Sequence, residues 1–150
     1  MTPAQKRAAL YLSATVVMSA LVGAGALYWS RKKEADSAVV MNDMLAAADP
    51  RTGANIAKIC MACHEFTKGA PNRIGPNLYG VVGRKIASAP GYQYSEAFME
   101  LKDITWTTDE LYDFLRDPPT YAPGTRMSYG GLVDTQDRMD LISFLMTLRD

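Results

Sequence analysis

The sequence predicts an all-α domain over residues 51–150, preceded by one N-terminal transmembrane helix. Three observations carry that expectation. Seventeen of the 22 residues Ala8–Trp29 are apolar and none is charged, while the rest of the chain has the apolar share of an ordinary soluble domain. In the last stretch Leu141, Phe144, Leu145 and Leu148 recur at helical spacing. No segment reads as a strand, and five glycines and three prolines turn residues 69–91 into a long loop, of the kind that needs something to wrap. Sixteen basic residues balance sixteen acidic ones, which argues against a nucleic-acid partner, and 48% apolar content excludes a disordered chain.

After a tail of residues 1–7, the anchor is expected over residues 8–29. As a helix it would be about 33 Å long, enough for a hydrocarbon core of about 30 Å. Lys6 and Arg7 precede it, and Tyr28 and Trp29 close it with rings suited to the headgroup level. Ala24-Gly25-Ala26 resembles a signal-peptide cleavage site, but the apolar run is longer than the 7–15 residues of such signals and continues past the site. Arg31, Lys32 and Lys33 outnumber the two basic residues before the span, so the charge rule speaks against an N-inside anchor. Residues 30–50 read as a linker, within which Ala38–Ala48 has helix-forming composition.

In the domain, Thr52–Cys60 is expected to be a short helix with Ile56 and Ile59 on one side. Ser95–Glu100 makes one or two turns. Thr108–Arg116 is a clearer helix, capped by Thr107 or Thr108 and ended by Pro118-Pro119. Asp134–Leu148 is the longest.

The chain has two cysteines and one histidine, and all three fall in Cys60-Met61-Ala62-Cys63-His64. C-x-x-C-H is the pattern of covalent c-type haem attachment, in which each thiol forms a thioether and the adjacent imidazole ligates the iron. A thioredoxin-like pair would need a βαβ pattern, and a structural zinc site four ligands; neither is present in the sequence. With no second histidine, the sixth ligand is sought among nine methionines. Met127 is the choice, because the stiff stretch Tyr121–Arg126 presents it outside any helix, whereas Met99 lies in a helical segment where core filling is the ordinary role. Histidine–methionine ligation fills both axial positions and raises the potential, which suits electron transfer.

Beyond CMACH, the runs GPNLYGVVGRK (75–85), APGYQYSEA (89–97), ITW (104–106), YAPGTRM (121–127) and DLISFL (140–145) occur in the order of class I cytochrome c, which the chain resembles from about Gly53 to Leu148. With the anchor it is most similar to the membrane-anchored cytochrome c-y group of α-proteobacteria. That resemblance implies the class I cytochrome c fold, short helices around one covalent haem c, and single-electron transport from quinol:cytochrome c oxidoreductase to a haem-copper oxidase. It also implies a haem domain on the periplasmic side of the inner membrane.

The same resemblance implies that the Pro76 carbonyl holds His64, that Tyr94 and Trp106 donate hydrogen bonds to a haem propionate, and that Arg84 offsets its charge. Phe144 and Leu141 would pack the last helix across the first near Gly53 and Ile56. Phe114 stands where the family often has a tyrosine, so a hydroxyl near the methionine sulfur is missing. Residues 51–90 carry six basic and one acidic residue, and residues 91–150 five and eleven. Lys58, Lys68, Arg73, Lys85 and Arg126 are therefore candidates to border the haem edge and steer an acidic partner. Two other readings stay open: a fixed haem subunit of a respiratory complex, and a haem peroxidase or gas-binding protein if Met127 does not bind iron.

Overall fold

The computed structural model describes residues 27, 30–33, 35–36 and 38–150, which belong to two compact units, one ending at Asn42 and the other spanning Asp43–Asp150. The expected anchor, apart from Leu27, lies outside the described residues. Among the described residues no helix is long and apolar enough to cross a membrane. Residues 30–33, 35–36 and 38–47 are helical, so this part of the expected linker has regular structure.

The second unit is helical, and among the described residues its β-type pairing is one antiparallel bridge, Lys85 with Thr105. Helix α1 (Pro50–Ile56) begins earlier than the sequence spacing suggested. The Asp49 carboxylate accepts a hydrogen bond from the Arg51 N–H at 2.9 Å, and Pro50 stands at the first helical position, where its missing N–H costs nothing. The helix does not run through to Cys60. After Ile56 the chain tightens into a 3₁₀ helix over Ala57–Ala62, which carries the first cysteine.

Three further elements follow the predicted order. Helix α2 is Glu96–Glu100, and α3 is Thr108–Arg116, whose Thr107 Oγ1 accepts from the Glu110 N–H at 3.1 Å. Acidic Asp109 and Glu110 in its first turn and Arg116 in its last match the helix dipole, and Leu111, Phe114 and Leu115 face inward. Pro118-Pro119 ends α3 but also starts a one-turn helix, α4 (Pro118–Tyr121), capped by Asp117. Helix α5 is Thr135–Thr147, capped by Asp134 through the Asp137 N–H at 2.9 Å.

Helices α1 and α5 cross at Gly53. A Cβ there would stand 1.9 Å from the Asp140 carbonyl oxygen and 2.9 Å from the Phe144 Cβ, so only glycine permits the approach. The crossing is tied by the Asp49 N–H, which donates to Asp140 Oδ1 at 2.9 Å, an acceptor shared with the Gln136 amide. Asp140 is 5% exposed. These bonds are the reason a carboxylate is tolerated there. Phe144 therefore packs where expected, against Gly53. Across the domain, Phe98, Trp106, Phe114 and Tyr121 form an aromatic cluster with ring centroids 5.0–6.2 Å apart.

Gly53→Ala is expected to lower unfolding stability by about 3 kcal/mol, the upper end of overpacking costs, because the obstacle is backbone rather than a side chain that can turn away. Urea denaturation measures it; a loss below about 1 kcal/mol would show that the crossing is not tight.

Candidate functional site

Between these helices lies a cavity of about 370 Å³. Its walls are mostly apolar: Leu78, Val81, Phe98, Leu111, Leu115, Leu141 and Leu145 line it together with aromatic rings. Cavities of this kind and size bind a small organic group. All eight residues singled out from the sequence, Cys60, Cys63, His64, Pro76, Arg84, Tyr94, Trp106 and Met127, lie on its walls.

The 3₁₀ turn delivers the first three. Both the Cys63 and His64 N–H groups donate to the Cys60 carbonyl, at 3.0 and 2.9 Å, which stacks the motif into one tight turn at the cavity wall. His64 Nδ1 lies 2.7 Å from the Pro76 carbonyl oxygen. A carbonyl only accepts, so Nδ1 carries the proton and Nε2 keeps the lone pair. Burial holds the imidazole below its ordinary range, more strongly than the Pro76 carbonyl draws it up, and the neutral ring is the form that ligates a metal. Burial also pushes the Cys60 thiol up, with Cys63 adding to it. A reactive thiol is held down, so this environment speaks against a redox or nucleophilic cysteine.

Gly75 escaped the reading of individual site residues, although it opens one of the motif runs. A Cβ there would stand 2.3 Å from His64 Cε1 and 2.6 Å from Nδ1. The backbone thus lies against the imidazole, and its N–H donates to the Cys63 carbonyl at 2.8 Å. The signal was a glycine directly before the proline that holds the ring.

Arg84 and Trp106 are brought together by the bridge, since the Trp106 N–H donates to the Arg84 carbonyl at 2.8 Å and the Gly83 N–H to the Trp106 carbonyl at 2.9 Å. Arg84 Nη1 and Nη2 donate to the carbonyls of Tyr79 and Asn77, at 3.2 and 3.0 Å. Its Nε is buried with no partner, and burial acts against its charge, partly offset by Tyr94. A buried donor and cation of this kind calls for an anion at the cavity. Tyr94 Oη accepts from the Ala89 N–H at 3.2 Å, leaving its own hydrogen free to donate. Phe114 lines the same cavity, 5.0 Å from the Trp106 ring.

A haem fits these residues: apolar walls for the macrocycle, two thiols and one oriented imidazole at one side, a thioether from Met127 in the lining, and Arg84 as cation for a carboxylate. Tyr129 also lines the cavity, two residues after Met127; burial pushes its phenol up.

The five basic candidates are placed differently. Only Arg126 lines the cavity, and its guanidinium bonds the Gln93 carbonyl. Lys68 is held by both carboxylate oxygens of Asp150 at 2.6 Å, which raises its pKa. Arg73 donates to the Met61 carbonyl at 2.6 Å and pairs with Glu65 at 3.5 Å; Lys85 donates to the Asp103 carbonyl at 2.5 Å. Lys58 is exposed on the 3₁₀ turn.

No protein-family model matches the chain. Curated relatives do. The chain is 44% identical over 104 residues to a cytochrome c of Arabidopsis thaliana, a match covering 69% of this chain and 92% of that protein. It is 43% identical over 105 residues to a cytochrome c homolog of Rickettsia felis, covering 70% of this chain and 59% of that protein. Among solved structures, cytochrome cH from Methylobacterium extorquens superposes with a TM-score of 0.62 at 38% identity, over 67% of this chain and 99% of that one.

Gly75→Ala is expected to turn the imidazole off its axis, lowering the thermal midpoint by about 4 °C or more and changing the visible spectrum of the pigmented protein. Thermal melts and absorption spectra check this; wild-type values for both would mean the ring has room to spare.

Proposed function

The chain belongs to the cytochrome c family, and from that premise we propose that it is a membrane-tethered single-electron carrier in which His64 and Met127 would both ligate the haem iron. It carries one haem c, attached through Cys60 and Cys63. The haem iron supplies one-electron chemistry by changing between its ferric and ferrous states. The residues of the chain do the rest. His64 is held as a neutral, correctly protonated ligand by the Pro76 carbonyl at 2.7 Å. Met127 would supply the second protein ligand, which would leave no open position for a substrate. Tyr94, Trp106 and Arg84 would bind the propionate, and the apolar wall excludes water, which keeps charge reorganisation small during transfer.

The observation that carries this reading is the convergence of His64 and Met127, 63 positions apart in the sequence, on one cavity. It disfavours the peroxidase or gas-binding alternative, which needs an open axial position. The proposed donor and acceptor are quinol:cytochrome c oxidoreductase and a haem-copper oxidase. The apolar run Ala8–Trp29 supports tethering, and with it the c-y subtype and a haem domain on the periplasmic face of the inner membrane. Lys68 and Arg73 are paired with the carboxylates of Asp150 and Glu65, so electrostatic capture would fall mainly to Lys58, Lys85 and Arg126 and would be weaker than five free cations provide. A tether compensates, since it holds the domain at an effective concentration of about millimolar.

Met127→Leu should abolish the weak near-infrared charge-transfer absorption of sulfur-ligated ferric haem and lower the potential by on the order of 0.2 V, within the roughly 0.8 V that axial ligands span. Retention of the band would assign the sulfur elsewhere.

For the tether, protease added to sealed spheroplasts should degrade the haem domain and leave a membrane-embedded fragment. Protection of the domain would place it on the other side. Mild-detergent extraction separates a mobile carrier, which comes away free, from a fixed subunit.

A further inference from the structure

Arg138 is 3% exposed, in the first turns of α5, and pairs with no carboxylate among the described residues. Both circumstances are unfavourable for a cation: it lies out of water without a counter-ion, and near the positive end of a helix dipole. Nothing in the stability of α5 alone accounts for an arginine there. Its hydrogen bonds do. Nη1 donates to the carbonyls of both Leu132 and Val133 at 2.6 Å, and Nη2 to Thr135 Oγ1 at 3.3 Å. The guanidinium lies 4.3 Å from the centroid of the Tyr112 ring on α3, and its Nε has no partner. The side chain therefore grips the segment that leads from Met127 to α5, braced from behind by an aromatic face.

That segment has few other restraints. From Ser128 to Gly131 no backbone N–H donates to another backbone group among the described residues, and Met127 itself is held by one bond, from its N–H to Thr125 Oγ1 at 3.2 Å. The far end is pinned where Arg138 acts. The Leu132 N–H donates to the Leu115 carbonyl at 2.8 Å. Gly131, at φ +99°, lies so close to α3 that a Cβ would stand 2.2 Å from the Arg116 carbonyl oxygen.

We propose that Arg138 is a positioning residue for Met127: by holding the carbonyls of Leu132 and Val133 it fixes the C-terminal end of the methionine loop and keeps the thioether in place against competing ligands. The proposal rests on the reading of Met127 as the sixth ligand. Loss of the grip lets the loop swing out without unfolding the helices, because α1, α3 and α5 keep their own caps and the Gly53 crossing.

The test is imidazole titration of the ferric holoprotein, read by disappearance of the near-infrared sulfur band, with the thermal midpoint of helix unfolding measured in parallel. Arg138→Met is expected to bind imidazole about tenfold more tightly than the wild type, the change that follows loss of a charge-assisted hydrogen bond. Arg138→Lys, which keeps one charged donor, should shift it about threefold. Ile142→Ala, which empties a buried position of the same helix and bonds none of the loop, should lower the thermal midpoint while leaving imidazole affinity within about twofold. Equal shifts in Arg138→Met and Ile142→Ala, or no shift in Arg138→Met, would overturn the proposal. Should Arg138→Met not fold, Arg138→Lys against Ile142→Ala decides by the same criterion. A wild type without the band, or Met127→Leu with it, overturns the ligand reading itself, a result visible before any imidazole is added.

Discussion

The site depends on one imidazole being held still. His64 is fixed from two sides, by the Pro76 carbonyl on Nδ1 at 2.7 Å and by the Gly75 backbone, which leaves no room for even a methyl group against the ring. The protein sets tautomer and orientation before any metal chemistry begins, and the remaining nitrogen is the one available to iron. Everything upstream serves that placement. The α1–α5 crossing at Gly53 sets where the 3₁₀ turn starts, and the turn sets where Cys60, Cys63 and His64 meet the cavity.

A second constraint comes from size. A domain of about 100 residues buries roughly two-thirds of its unfolded surface, a thin margin for stability. Here Leu111, Leu115, Leu141 and Leu145, which are buried in the core, also line the cavity, as does Leu78. The prosthetic group is therefore part of the core, and its covalent attachment couples folding to its retention. The same geometry explains why the long glycine-rich loop can exist in a compact unit. It is a wrapping, tied by the Asn77 amide to the carbonyls of Thr67 and Ala70 and by the Asn72 amide to Pro90.

What was legible in the sequence was local chemistry. The C-x-x-C-H spacing, the cap Thr107, and a methionine in a proline- and glycine-stiffened stretch are each written within a few residues. What was not legible depends on partners far along the chain. The 3₁₀ turn replaces the end of the expected helix because Cys60–His64 must meet the loop around Gly75 and Pro76. No motif or spacing singles out Arg138, whose burial comes from the Leu132 and Val133 carbonyls it bonds. Nor does sequence show which of the basic residues meet a carboxylate; Asp150, paired with Lys68, lies 82 positions away. That the eight residues singled out from the sequence share one cavity reflects the long-range information that a motif and a family pattern supply and periodicity lacks.

The central claim is a porphyrin bonded through both thiols of the Cys60–His64 turn, with the fold closed around it. Extraction of the purified protein with acidified acetone tests this most directly, since it removes haem held by ligation alone but not haem held by thioethers. The account predicts that the colour stays with the precipitated polypeptide. Colour passing into the acetone, or a colourless protein from cells able to attach haem, would contradict it.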